Sequence, residues 1–282
     1  MNNINDLSSE KVKKLSYTDF ISLIEEENRP SGGKKTIREI IKNTFLDEDS
    51  KVLEVGCTNG FTTLEIARTV GCEVVGIDIN EKSIRNARLR LEKDSEQVKN
   101  NVSFRVGDAT DMPFSDNEFD LVVCGNATSF IENKKQAFSE YKRVLKDWGF
   151  IATVPIYYID HVPDKILDKL SNTLNVDIEK RSKEDWKNFF TDDYIEIYYE
   201  ADYEFKYLSD EEIEEYVTKS LQKPKIKKLS EDVKESIHER WKETIKLFNE
   251  NLSYTNFSIM ILRKRLEKEE PEAFDGITRV DN

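Results

Sequence analysis

Between residues 51 and 154 the chain repeats one unit: a short β-prone apolar run, then a stretch with helical spacing. The runs are Val52–Val55, Glu73–Ile79, Val102–Val106, Phe119–Cys124 and Phe150–Val154. The helical stretches centre on Leu64–Val70, Ser83–Leu91 and Gln136–Leu145. Several runs are apolar almost throughout, as strands covered on both faces must be. Strand, helix, strand in repetition requires right-handed crossovers and a parallel sheet. The expected fold class is α/β, a doubly wound sheet that binds its ligand outside the carboxyl ends of the strands.

The flanks are less regular. Residues 1–31 read as a helical lead-in, with Tyr17, Phe20, Ile21 and Ile24 at helical spacing, broken by the turn signal Arg29-Pro30-Ser31-Gly32-Gly33. A second helix is expected over Lys34–Phe45. Beyond Pro155 the pattern predicts helices over Val162–Leu174 and Lys183–Phe190, a strand over Tyr194–Phe205, charged helices over 209–221 and 229–250, and a last strand over Tyr254–Leu262. In the longer charged helix Leu229, Val233, Ile237, Trp241 and Ile245 recur every four residues, so one face is buried. Residues 267–282 read as a mobile acidic tail.

Composition removes several classes of function. Asp plus Glu number 56 and Lys plus Arg 43, a net charge of −13. Such a surface repels phosphate backbones and anionic lipid, so neither nucleic acid nor a membrane is expected as a partner. Lys223, Lys225, Lys227 and Lys228 form the single basic cluster and read as a solvated linker. The stretch Phe150–Ile159 is about half of the roughly 20 residues that span a bilayer. The start, MNNINDLSSEKVKK, has no apolar signal-peptide core. Cys57, Cys72 and Cys124 have no metal-ligand spacing and cannot all pair, which leads to the expectation of a reduced, cytoplasmic protein. With two histidines in the chain, no metal site is expected.

Four segments carry the chemistry. The first is Glu54-Val55-Gly56-Cys57-Thr58-Asn59-Gly60, a strand end running through a tight loop into a helix. Glycines permit positive φ and close approach of a ligand, and the helix start offers N–H groups to an anion. Thr58 stands where a dinucleotide fingerprint has its second glycine and the third is missing as well; a P-loop lysine is also absent. The second is Asp78, followed by Ile79, at the end of the second run, where a carboxylate accepts from two vicinal ribose hydroxyls. An N-cap is the competing role, and Asn80 fills it better. The third is Gly107-Asp108-Ala109, where a carboxylate and the next N–H match an adenine edge. The fourth is Cys124-Gly125-Asn126-Ala127-Thr128, a small polar loop after the fourth run.

In this order and at these separations the four segments resemble the class I S-adenosylmethionine-dependent methyltransferases, and most the small-molecule group with the methyltransferase type 11 domain. The resemblance covers about residues 34–155, the phrase Tyr141–Phe150 included. Two departures stand out: Glu54 where Asp is usual, and Thr58 in place of the middle glycine. The resemblance implies S-adenosylmethionine as cofactor, held by Glu54, Gly56, Cys57, Thr58, Gly60, Asp78, Ile79, Asp108, Ala109 and Asn126. It implies a Rossmann-like sheet of seven strands, the last antiparallel, formed by residues 32–208 plus 251–266. Residues 1–31 become a helical cap, and 209–250 an inserted lid.

The implied reaction is in-line methyl transfer to an oxygen or nitrogen of a small metabolite. The alternatives are a protein or RNA acceptor, or a non-catalytic partner subunit that binds the cofactor; the oligomeric state stays open between monomer and homodimer. His161, Asn126 and Tyr157 are the catalytic candidates, His161 because its unperturbed pKa suits proton removal near neutrality. Arg29, Tyr17 and Tyr158 are candidates for the acceptor pocket. A helical ion pair of Arg29 with Glu25 or Glu26 explains Arg29 equally well, and core packing explains Tyr17.

Overall fold

The computed structural model describes residues 7–268. Apart from Glu267 and Lys268, the acidic tail lies outside the described residues, as do residues 1–6. Eight strands form one sheet: β1 (Lys51–Val55), β2 (Glu73–Asp78), β3 (Val102–Val106), β4 (Phe119–Gly125), β5 (Leu145–Thr153), β6 (Ile156–Tyr158), β7 (Ile195–Glu204) and β8 (Thr255–Lys264). The parallel part runs in the order β3-β2-β1-β4-β5. β8 pairs antiparallel with β5 and β6 on one edge and with β7 on the other.

The expected seven strands become eight because β5 is interrupted. β6 continues along β8 in the same register, from Thr153↔Met260 to Ile156↔Phe257. Pro155, which has no N–H to give to a ladder, lies in the gap, although its carbonyl still accepts from Ser258 N at 3.1 Å. The expected strands 194–205 and 254–262 are β7 and β8. The short helices Glu96–Asn101 and Pro224–Lys227 have no counterpart in the sequence reading.

Alternation along the strands divides the core into two layers. One face holds Val52, Val74, Phe104, Leu121, Ile259 and Ile261 against the helices Lys34–Asn43, Phe61–Val70 and Glu81–Leu91. The other holds Leu53, Val75, Ile77, Val122, Ile151, Met260 and Leu262 against Lys134–Val144 and Lys183–Phe190, with Tyr141, Trp186 and Phe190 fully covered.

A third core unites the two flanks. Val12, Phe20, Ile21 and Ile24 of the amino-terminal helices pack with Val217, Ile226, Val233, Ile237 and Trp241 of the insertion. The Phe20 and Trp241 rings lie 6.0 Å apart. Arg240 covers the Phe20 face at 4.3 Å and donates to the Leu15 carbonyl at 2.8 Å. The apolar stripe of the long charged helix is thus explained: Glu231–Leu252 buries it against the cap. This corrects the reading of the lysine cluster as a solvated linker, because Pro224–Lys227 is a helix whose Ile226 is buried in this core.

Candidate active site

β1 lies between β2 and β4, so the strand order reverses at its carboxyl end, the place where doubly wound sheets bind ligands. The loop that follows β1 is tied to β2. Gly56 N and Cys57 N both donate to the Ile77 carbonyl at 2.9 Å, and Gly60 N donates to Cys57 O at 2.8 Å. Gly56 and Gly60 have φ of 72° and 78°. A Cβ on Gly60 would lie 2.5 Å from the Phe104 ring, and one on Gly56 2.6 Å from Ala127 Cβ. Only glycine fits at either position. Thr58 takes a left-handed φ of 43° without being glycine. Its N–H donates to Asp78 Oδ2 at 2.9 Å and its hydroxyl accepts from Asn28 Nδ2 at 3.3 Å. Cys57 is buried, and burial pushes its thiol up, away from reactivity.

Two carboxylates frame the loop. Glu54 is buried in β1 and accepts from Thr63 N at 2.7 Å and from the Thr63 hydroxyl. It thereby caps the first turn of Phe61–Val70, which has no side-chain cap of its own. Burial raises its pKa to about 7 against the hydrogen bonds of Thr63 and Thr62. Through Oε2, Glu54 ties the end of β1 to the start of the following helix. Asp78 closes β2 with Oδ1 accepting from Asn80 N at 2.8 Å and Oδ2 from Thr58 N. Each oxygen keeps a second lone pair. Burial pushes this carboxyl up, and the two N–H donors oppose the shift. Asn80 caps Glu81–Leu91 through Lys82 N and Ser83 N, as expected, leaving Asp78 for another role.

The carboxyl ends of β2, β3 and β4 also leave apolar surface open. Ile79 is 72% exposed, Val106 46% and Phe130 43%, in a protein whose comparable side chains are mostly covered. Sequence reasoning missed Val106 and Phe130: Val106 reads as one more apolar residue of β3 and is exposed by its place at the strand end, and Phe130 closes the turn Ala127–Phe130 after β4. After β3, Asp108 Oδ1 accepts from Thr110 N and its hydroxyl, both at 2.8 Å. Asp108 Oδ2 and the Ala109 N–H have no partner among the described residues. After β4, Asn126 Oδ1 accepts from Ser129 Oγ at 2.7 Å and shapes the turn Ala127–Phe130.

The acceptor candidates disperse. Tyr157 is buried in the second core layer, and its hydroxyl donates to Asp202 of β7 at 3.1 Å, beside Lys183. Tyr158 donates to Asn251 at 3.0 Å. His161 is exposed beyond β6, its main-chain N–H on Asp160 at 2.6 Å. Arg29 lies 4.8 Å over the Phe61 ring, with Nε 2.7 Å from Glu27 rather than from Glu25 or Glu26. The helical spacing behind that expectation does not apply, because the helix ends at Leu23 and Glu25 and Asn28 turn to positive φ. Tyr17 is half-buried with its ring edge-on to Phe248 at 5.8 Å.

The amino-terminal segment touches the glycine loop through side-chain amides that no sequence motif marks. Asn59 Nδ2 donates to the Glu26 carbonyl at 2.5 Å, and Asn86 Nδ2 bridges to Asn59 and to the Ser22 carbonyl. Lys82 pairs with Asp19 at 2.9 Å. A separate surface groove on the insertion is lined by Asp210, Glu214, Glu215 and Lys242, and no strand-end residue borders it. No helix among the described residues is long and apolar enough to cross a membrane.

Comparison with known proteins agrees with this geometry. Residues 46–194 match a family model described as a methyltransferase domain. An uncharacterized protein of Haemophilus influenzae is 30% identical over 174 residues, 61% of this chain and 68% of that protein. The demethylmenaquinone methyltransferase of Staphylococcus carnosus is 29% identical over 168 residues, 54% of this chain and 66% of its own length. The two alignments thus leave about a third of each relative unmatched. Among solved structures, that of the MccD protein superimposes with a TM-score of 0.71 at 26% identity, covering 84% of this chain and all of that one.

Proposed function

The chain belongs to the methyltransferase-domain family, and from that premise we propose that it moves the methyl group of S-adenosylmethionine to an oxygen or nitrogen of a small-molecule acceptor. The observation that supports this most is the set of unspent polar groups around the switch point. Asp78 retains acceptor capacity beside the glycine loop, while Asp108 Oδ2 and the Ala109 N–H are unpaired and stand next to exposed Ile79 and Val106. Those groups fit a nucleoside with two vicinal hydroxyls, an amine-bearing edge and an apolar ring.

In this reading Asp78 accepts from the ribose hydroxyls, Asp108 and Ala109 meet the adenine edge, and Ile79, Val106 and Phe130 cover its ring. Gly56, Cys57, Thr58 and Gly60 bring bare main chain against the methionine portion, and Asn126 flanks the reacting end. When bound, the cofactor supplies a sulfonium-activated methyl group. The protein's own contribution is alignment and exclusion of water, worth about 7–11 kcal/mol in well-oriented cases. The cap and the 209–250 insertion, joined by the third core, act as the lid. Tyr157 is spent on Asp202, so His161 is the remaining candidate for a base, and alignment carries most of the catalysis.

The test is transfer of labelled methyl from S-adenosylmethionine to a fractionated cell extract. Label in the small-molecule fraction is expected. Label in protein or RNA instead would overturn the assignment of acceptor class.

A further inference from the structure

Among the described residues of the cap, Glu26 is a carboxylate that the fold leaves without a counter-ion beside the glycine loop. Glu25, Glu26 and Glu27 follow the end of helix Tyr17–Leu23. Glu27 is held by Arg29 and by Arg90, the latter at 3.1 Å. Glu25 lies 3.9 Å from Lys225. Glu26 has no lysine or arginine within salt-bridge distance among the described residues. Its Oε1 accepts only the Tyr216 hydroxyl, at 3.1 Å.

Glu26 is half-buried among aromatic side chains, Tyr17 half-buried and Tyr216 exposed. Burial first, and then the Glu26 charge, pushes the hydroxyls of both Tyr17 and Tyr216 up, so the carboxylate is felt at both rings. The Tyr17 hydroxyl has no hydrogen-bond partner among the described residues. Its ring meets Phe248, and the Tyr216 ring lies 6.4 Å from Trp241. This cluster adjoins the glycine loop: the Glu26 carbonyl accepts from Asn59, and Asn28 reaches Thr58.

We propose that Glu26, Tyr17 and Tyr216 form a subsite for a positively charged amine on the methyl acceptor. The proposal deepens the methyl-transfer reading and rests on it. A half-buried carboxylate without a cation partner attracts an ammonium group through charge-assisted hydrogen bonds, and tyrosine faces add to that attraction. The same charge repels a carboxylate or phosphate. Arg29, the anion-binding candidate, is held on Glu27, which it shares with Arg90, and is not a counter-ion of Glu26. Tyr216 orients Glu26 by donating to it, and the Tyr17 oxygen is available as an acceptor.

Three matched probes test this on the full chain by calorimetry: benzylamine, benzyl alcohol and benzoate, each with and without S-adenosylhomocysteine. Benzylamine is expected to bind at least roughly tenfold more tightly than either neutral or anionic probe. Glu26→Gln should erase that preference, and Glu26→Lys should turn it toward benzoate, with thermal melts confirming that both variants fold. Equal binding of the three probes, no benzylamine binding at millimolar concentration, or an unchanged preference in Glu26→Gln overturns the proposal. Failure of S-adenosylhomocysteine to bind counts against the methyl-transfer reading alone, because the ranking of probes on the cofactor-free chain still decides the subsite.

Discussion

Glu54 should make the protein less stable as pH rises through the weakly acidic range. Burial in β1 raises this carboxyl from 4.5 to about 7. Below pH 4.5 the group is protonated in both the folded and unfolded chain and contributes no pH dependence. Above it the unfolded chain releases the proton while the fold retains it, so unfolding becomes easier by about 1.4 kcal/mol per pH unit until the folded group also ionises. The shift corresponds to a loss of about 3 kcal/mol between pH 4.5 and 7, with a plateau beyond. Glu54→Gln keeps the side chain neutral and its oxygen can still accept from Thr63 N. Urea unfolding of both proteins from about pH 4.5 to 8 isolates the effect, because other titrating groups cancel in the difference. The wild type should lose about 3 kcal/mol relative to the variant over this range. Parallel curves would refute the reasoning. A wild type that gains stability with pH would show an ionised Glu54 held by the helix start instead.

Four other perturbations follow from the geometry. Asp78→Ala should weaken S-adenosylhomocysteine binding roughly tenfold or more, read by calorimetry; unchanged affinity removes Asp78 from the ribose role. Gly60→Ala should destabilise by about 2–4 kcal/mol in urea unfolding, from the left-handed φ together with the collision with Phe104. Trp241→Ala should cost about 3–5 kcal/mol in the third core and open the cap to limited proteolysis before the sheet. Tyr157→Phe should lose about 1 kcal/mol of stability and leave methyl transfer intact; a collapse in turnover would return Tyr157 to the catalytic set.

The parallel half of the fold was legible because its physics is local and repetitive. Val52–Val55 and Phe119–Cys124 read as strands since each is apolar but for one acidic residue, and Gly60 marks a turn that no other residue fits. Asp78 stood out because Asn80 already supplies the helix cap. What escaped was set by tertiary register. Tyr157 looks like a pocket residue in sequence, and only the β6–β8–β7 pairing brings it beside Asp202. Arg29 meets Glu27 because the chain turns at Glu25 and Asn28, which abolishes helical spacing. The docking of Glu26 on Asn59 joins residues 33 apart in sequence through amides that carry no pattern. Ile226 was hidden among lysines, although its burial gives the lysine cluster its helix.

The account depends on a nucleoside-bearing sulfonium seated where β1 passes between β2 and β4. Calorimetric titration of the full chain with S-adenosylhomocysteine, and in parallel with NADH, tests that most directly. Saturable binding of S-adenosylhomocysteine at about micromolar strength, about −8 kcal/mol, with no heat from NADH is the expected result. Binding of NADH without binding of S-adenosylhomocysteine would contradict it.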